Sequence, residues 1–344
     1  MKRCRRCAVL FVPGAAQKVV RFHKQAMSRT RDIIEEIAQV RGRRRFGSAI
    51  AELPFRLFSL ERAFKDHDKS NAELTRYFPV ALVACIEGYF RLAIKELIDA
   101  GEPYLTNAER PASSLKLDFT VVRAIHGKAV TVGELVAHSV PLSRLDHIES
   151  AMASLLGASF LDRMRTVTDR WQHEVRGAPI EPILAEPDGV FAGVSKAFEL
   201  RHIICHEIAS AHEIDYAEVA RCFESCVSFL RAADELISET LHPGAPLTQA
   251  DMNVAAGESL AEARHALAEA VSLLQGRLSG DDLAAFDKAQ TLWESYCIAW
   301  AEFDAMEVQG GSMWPALRAS SEEALVRSRI RDLRSYRRMS DEAQ

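Results

Sequence analysis

The chain has 344 residues, room for two domains of ordinary size. Its 43 Lys and Arg against 48 Asp and Glu leave a formal charge of -5, which by itself does not mark a nucleic-acid binder. No stretch reaches the roughly 18 apolar residues that span a bilayer, so the chain reads as soluble, with no membrane partner; seven scattered cysteines without a framework read as reduced thiols in the cytoplasm.

Charge is unevenly placed. The first fifty residues carry 13 basic and 3 acidic side chains, a net +10, so the rest of the chain is at -15. A basic arm on an acidic body attracts a polyanion, and a solvated, partly disordered tail has the same composition. The run from Ala8 to Val12 after a basic start resembles a secretory leader, but Pro13 and Gly14 cut it short. Met27 opens an amphipathic pattern and is an alternative start. Residues 1–49 are therefore read as a basic extension.

Helical periodicity then runs nearly throughout. Apolar residues recur at three and four from Ser48 to Phe64 and from Glu73 to Ala100, the second carrying Leu82, Ile86, Phe90 and Leu97 on one face. Asn107 to Leu117 is polar, with Pro111 and two serines, and reads as a loop. Thr131 to Leu161 resumes the helical period. Pro179, Pro182 and Pro187 make Gly177 to Gly189 a connector. A helix is expected from about Val190, with Phe198, Ile204 and Ile208 toward the core, and another from Tyr216 to Leu241. His242 to Pro246 stops it and marks the domain boundary.

The stretch Glu199 to Glu207 stands out, because Arg201 and His206 lie five residues apart in an apolar helix. A guanidinium can hold a phosphate through its planar fork, and an imidazole moves protons near neutral pH. At about 100° per residue the two are separated by roughly 140° around the helix, so a site using both is composite. Metal readings are weaker. Cys4 and Cys7 lack a second pair, and Cys222 and Cys226 share an apolar face as buried thiols do, although His202, Cys205, His206 and His212 are near in sequence. His206 and Glu207 begin like a zincin helix, but Ser210 stands where the second histidine belongs. His126, His138, His147 and His173 read as structural.

Long helices ending in Arg201-His202-x-x-x-His206 resemble the HEPN superfamily, whose ribonucleases carry Arg, a polar residue, then His after three more. The segment Pro79 to Phe90, with Glu87 in an apolar helix, is similar to the acidic-centred early helix of bacterial members. The resemblance covers about residues 50–241. It implies a metal-independent endoribonuclease: the RNA 2′-hydroxyl attacks the phosphate and leaves a 2′,3′-cyclic phosphate. Arg201 would stabilise the phosphorane and His206 transfer the proton. His202 and Glu87 would be auxiliary, with no cofactor and no metal, and two copies would pair in a homodimer. Glu87 also reads as a purely structural partner for the arginine.

A second resemblance lies in the C-terminal segment. Thr248 to Asn253, Ala289-Gln290-x-x-Trp293-x-x-Tyr296, Gly310 to Pro315, and Leu325-x-x-x-Arg329-Ile330-x-x-Leu333 follow the order and spacing of LprI-type lysozyme-inhibitor domains, over about residues 247–338. The resemblance implies a small helical bundle, with Trp293, Tyr296, Trp300 and Trp314 in its core and Gly310 and Gly311 in a turn. Exported members carry cysteines where Ala255, Ala301 and Ser321 stand here, so the bridges of a periplasmic inhibitor are vacant.

The expectation is an all-α chain. A HEPN-like bundle (50–241), a linker (242–247), an LprI-like bundle (248–338) and a tail (339–344) follow the basic extension. Two functions compete. One is a toxin or anti-phage ribonuclease acting on RNA, with the C-terminal bundle as sensor or regulator and an antitoxin or regulatory protein as partner. The other is a non-catalytic binding protein acting through lysozyme-inhibitor-like protein contacts.

Overall fold

The computed structural model describes residues 29–45, 47–115, 118–127, 129–207 and 214–336. Among these, helices run α1 (Arg29–Gly42), α2 (Ala49–Asp66), α3 (Ala72–Asp99), α4 (Tyr104–Asn107), α5 (Phe119–His126), α6 (Val132–Ser139), α7 (Leu145–Leu156), α8 (Phe160–Met164), α9 (Pro187–His206), α10 (Tyr216–Leu241), α11 (Gln249–Gln275), α12 (Gly280–Asp304) and α13 (Trp314–Ser335). No strand occurs among them, and the fold is all-α as expected. Lys2 to Lys24, the paired Cys4 and Cys7, Met27, Ile208, Ser210 and His212 lie outside the described residues.

The larger core is built around α3. Its residues Leu82, Val83, Ile86, Phe90, Ile94 and Leu97 are fully buried, and α2, α6, α9 and α10 pack on it. Phe90, Phe160 and Phe229 meet edge-on or tilted at ring separations of 5.6 to 6.3 Å, a favoured aromatic geometry. By length and mean hydropathy (1.4 over its most apolar window) α3 is long and apolar enough to cross a membrane, against the expectation that no segment would be. Here it is the central helix of a bundle.

Polar anchors set the ends. Asn71 caps α3 by accepting from the Leu74 amide at 3.1 Å. At its other end Asp99 accepts from the Thr131 hydroxyl at 2.9 Å and the Gly133 amide at 3.1 Å, which joins α3 to α6. Thr131 and Glu134 form a reciprocal capping box. Glu134, only 7% exposed, also receives both donors of Arg41. Arg41 belongs by charge to the basic extension, yet α1 packs on α5 and α6, with Ile37 beside Val121, Val130 and Leu135.

Two element boundaries differ from the periodic reading. Thr131 to Leu161 is not one helix: α6 ends at Ser139 before Pro141, and Gly157 takes a left-handed φ of +68° after α7. Pro141 cannot donate to a helical ladder, and the turn at Gly157 needs a residue without Cβ. α9 starts at Pro187, not Val190, because a proline at the first helical position gives up only an amide with no intrahelical partner.

The C-terminal segment has its own core, with Leu260, Leu267 and Leu274 of α11 against Ala319, Val326, Ile330 and Leu333 of α13. Thr248 caps α11, and the turn before α13 places Gly310 at φ +78°. α11 and α12 each pack on α13.

Candidate functional site

Two places in the molecule gather unusual side chains. The first is the end of α9. Phe191, Val194, Ala197, Phe198 and Leu200 bury one face of this helix, and polar residues take the other. Arg201 is partly buried, whereas His202, Cys205 and His206 are exposed. Arg201 Nη2 lies 4.0 Å from Glu87 Oε1 on α3, an ion-pair contact beyond hydrogen-bonding distance. The guanidinium is thus held beside a carboxylate with its donors still available. The rings of His202 and His206 are 5.1 Å apart, one helical turn from each other.

Arg201 and His202 open on a cleft of 1120 Å³ between α7 and α9. Leu145, Leu161 and Phe198 form apolar wall, and Arg144 and His147 add basic groups opposite. Arg144 donates to Asp146 at 2.7 Å and lies 3.2 Å from His147 Nε2. His147, read from the sequence as structural, therefore shares the cleft. His206 does not line it. Of the four residues singled out, the fold brings Arg201 to Glu87 and His202 to His206, and leaves Arg201 and His206 on different sides of the helix, as their spacing demands.

Among the described residues no three His, Cys, Asp or Glu side chains stand close enough to hold a metal ion. Cys85, Cys222 and Cys226 are buried, and burial pushes the Cys85 and Cys222 thiols up to about 11. His138 pairs instead with Glu36 at 3.1 Å, and His173 contacts the Ala178 carbonyl at 3.2 Å.

The second place is the outer face of α12. Tyr296 and Trp300 were expected in the core of the C-terminal bundle, and both are exposed, at 50% and 43%. α12 packs through Gln290, Cys297 and Ala301, so side chains about a third of a turn away point to water. Leu292, Tyr296, Trp300 and Phe303 recur at four, four and three residues and form one exposed stripe. Their aromatic members touch: the Tyr296 and Trp300 rings are 6.0 Å apart, and those of Trp300 and Phe303 5.6 Å. Trp293 does pack against the core, and Trp314 is partly buried under the guanidinium of Arg318 at 5.8 Å. A second apolar period on α12, offset from Trp293 and Cys297, was the sequence signal for this surface.

Residues 243–333 match the family model of the lysozyme inhibitor LprI. No match was found to a curated protein or to a solved structure. The chain is thus all-helical, with an LprI-like C-terminal segment that lacks the disulfide cysteines at Ala255, Ala301 and Ser321.

Proposed function

We propose that this chain is a binding protein that engages a partner protein through the outer face of α12. The observation that carries this reading is the stripe of Leu292, Tyr296, Trp300 and Phe303, four large apolar side chains left 43 to 63% exposed. Burying a fully exposed large apolar side chain is worth about 1.5–3 kcal/mol, of which these half-exposed ones have roughly half still to gain, and Trp and Tyr dominate the energetic centres of interfaces. Residues 243–333 carry 14 acidic and 7 basic side chains, so the stripe sits on an acidic module. Its fitting partner is a protein with basic groups around an apolar patch. The LprI family description names lysozyme, which makes lysozyme the natural probe.

Binding of c-type lysozyme to the full chain at low and moderate salt tests this, with a Trp300→Ser, Phe303→Ser double variant alongside. Salt-sensitive association that the double variant weakens about 1,000-fold is expected, two interface centres of about 2 kcal/mol each being lost at ~1.4 kcal/mol per tenfold. No association at low salt, or equal affinity of both proteins, would remove the reading.

The cleft at the end of α9 favours a second reading: metal-independent cleavage of RNA in the cytoplasm. What supports it is that Arg201 and His202 share the cleft with Arg144 and His147, two guanidinium and two imidazole groups standing among the carboxylates of Asp146, Glu149, Glu199 and Glu207. In this reading Arg201 stabilises the phosphorane and His206 moves a proton across a homodimer, with His202 and Glu87 positioning them. The C-terminal bundle then serves as sensor or as the docking point of an antitoxin. Labelled single-stranded and transfer RNA, incubated with chelator, should yield 2′,3′-cyclic phosphate ends that disappear with Arg201→Ala and His206→Ala. Cleavage absent from the wild type, or surviving both changes, would discard it.

A further inference from the structure

The chain between α8 and α9 forms a groove of 640 Å³ with α2 and α10. This loop is tied down: the Ile183 amide donates to the Val167 carbonyl at 2.8 Å, and Thr168 and Pro182 form an antiparallel bridge. The groove wall is therefore preformed. Leu53, Leu57 and Phe58 of α2, with Pro179, Pro182 and Ile183 of the loop, make it apolar. Phe58, on its outer side, is 65% exposed.

Around this apolar floor the charge is one-sided. Glu61, Asp169, Glu181, Asp234 and Glu235 line the groove with a single cation, Arg231, which donates to Glu61 at 2.7 Å. The stretches that build the groove, 49–66, 166–186 and 228–239, hold 10 acidic and 6 basic side chains, so the excess of four carboxylates is the same in the lining and in the wider count. Of those cations, Arg62 faces Asp66, and Arg170 is held by Glu174 and Glu239. A concave apolar floor under uncompensated carboxylates fits an occupant that carries positive charge on an apolar body.

The chain holds such a segment. Residues 1–28, outside the described residues, carry seven basic side chains and no acidic one, interleaved with Val9 to Val12 and with Val19, Val20 and Phe22. They are also long enough. Stretched, this segment spans about 90 Å, whereas α1, the loop after it and the first half of α2 place Leu57 no more than about 55 Å from Arg29.

We propose that the basic N-terminal segment docks in this groove of its own chain, with its apolar side chains on Leu57, Phe58 and Ile183 and its cations on the carboxylate rim. A tethered segment acts at an effective concentration on the order of millimolar, so modest contacts hold it. Docked there, it meets a polyanion only in competition with the groove. The groove shares no residue with the α12 stripe or the cleft at the end of α9 and depends on the function of neither.

Carbodiimide coupling of the full chain at neutral pH, mapped by mass spectrometry, tests the proposal, since it joins only amines and carboxylates that touch. Lys2, Lys18 or Lys24 should be joined to the groove carboxylates at least about ten-fold more often than to the exposed carboxylates of α12, the rival acidic and apolar surface. Phe58→Ser, at an exposed position, should lower the groove product about five-fold with the circular dichroism unchanged. Arg3→Glu, Arg5→Glu and Arg6→Glu together, outside the folded bundle described, should remove the product formed by Lys2. Cross-links spread evenly over the molecule, concentrated on α12 or insensitive to both variants would each overturn it, as would cross-links that join two molecules in a mixture of isotope-labelled and unlabelled chain.

Discussion

Replacing Asp234 by Asn should stabilise the larger bundle at neutral pH and remove part of its pH dependence. Asp234 lies on α10, and although the residue is partly exposed its Oδ1 is sealed from water without a hydrogen bond. Burial pushes its carboxyl up to about 6 from an ordinary 3.8; interaction with the buried Tyr89 hydroxyl opposes the rise, and Glu235 and Glu96 add to it. The folded state thus holds the proton more tightly than the unfolded chain does. Stability from this group is full below the unfolded value and falls as pH rises from near 4 toward 6, then stays level. A shift of about two pH units at ~1.4 kcal/mol each makes the ionised carboxylate ~3 kcal/mol unfavourable above the folded value. Asn keeps the shape without the charge, so Asp234→Asn should gain up to ~3 kcal/mol at pH 7 and almost nothing below about pH 4. Urea denaturation of both proteins across this range reads the difference directly. Parallel stability curves for wild type and variant would refute the burial argument.

Further outcomes concern packing, capping and thiols. A Cβ on Gly193 would come within 2.6 Å of Ser225 Cβ, so Gly193→Ala should destabilise by about 1–3 kcal/mol and Ser225→Gly in the same chain should restore most of it, read by denaturant midpoints. For Glu134, burial raises the carboxyl, but hydrogen bonds from Arg41 and the Thr131 amide outweigh it and hold the group below its ordinary value. Its stabilisation is present at neutral pH and lost as pH falls through that lowered value; Thr131→Ala, which removes one half of the capping box, should cost about 1 kcal/mol at pH 7 in the same measurement. Native labelling with a thiol reagent at neutral pH, mapped by mass spectrometry, should modify Cys205 and spare Cys85, Cys222, Cys226 and Cys297, whose buried thiols are raised. Modification of Cys226 before unfolding would contradict the burial of α10.

Much of the helix plan was legible because its signals are local. The three-and-four period of α2 and α3, the run from Tyr216 to Leu241 and the stop at His242 to Pro246 each depend on residues within a few turns. Where the plan slipped, local chemistry was also the cause: Pro141 and Gly157 broke a period that apolar residues alone carried onward, and Pro187 began a helix instead of preceding it. The candidate site was legible only in part. Arg201, His202 and His206 announced themselves by type and spacing, and the C-terminal resemblance by motif order. Nothing local says which wall of a cleft His147 occupies, or that Tyr296 and Trp300 face water while Trp293 and Cys297 do not.

An all-helical chain, the positions of most of its long helices, and an LprI-like segment over residues 243–333 without the family's cysteines could all be read from the residues in order. Those properties follow from turn-by-turn periodicity, caps, breakers and motif spacing. Helix packing, by contrast, set which helix faces remain uncovered, placed Arg201 4.0 Å from Glu87 while His206 stays outside the cleft, and brought both Arg264 donors to one oxygen of Glu322. Each of those depends on a partner more than fifty residues away or on a neighbouring helix that fails to arrive. α12 has two apolar faces in its sequence, and α13 covers only one of them.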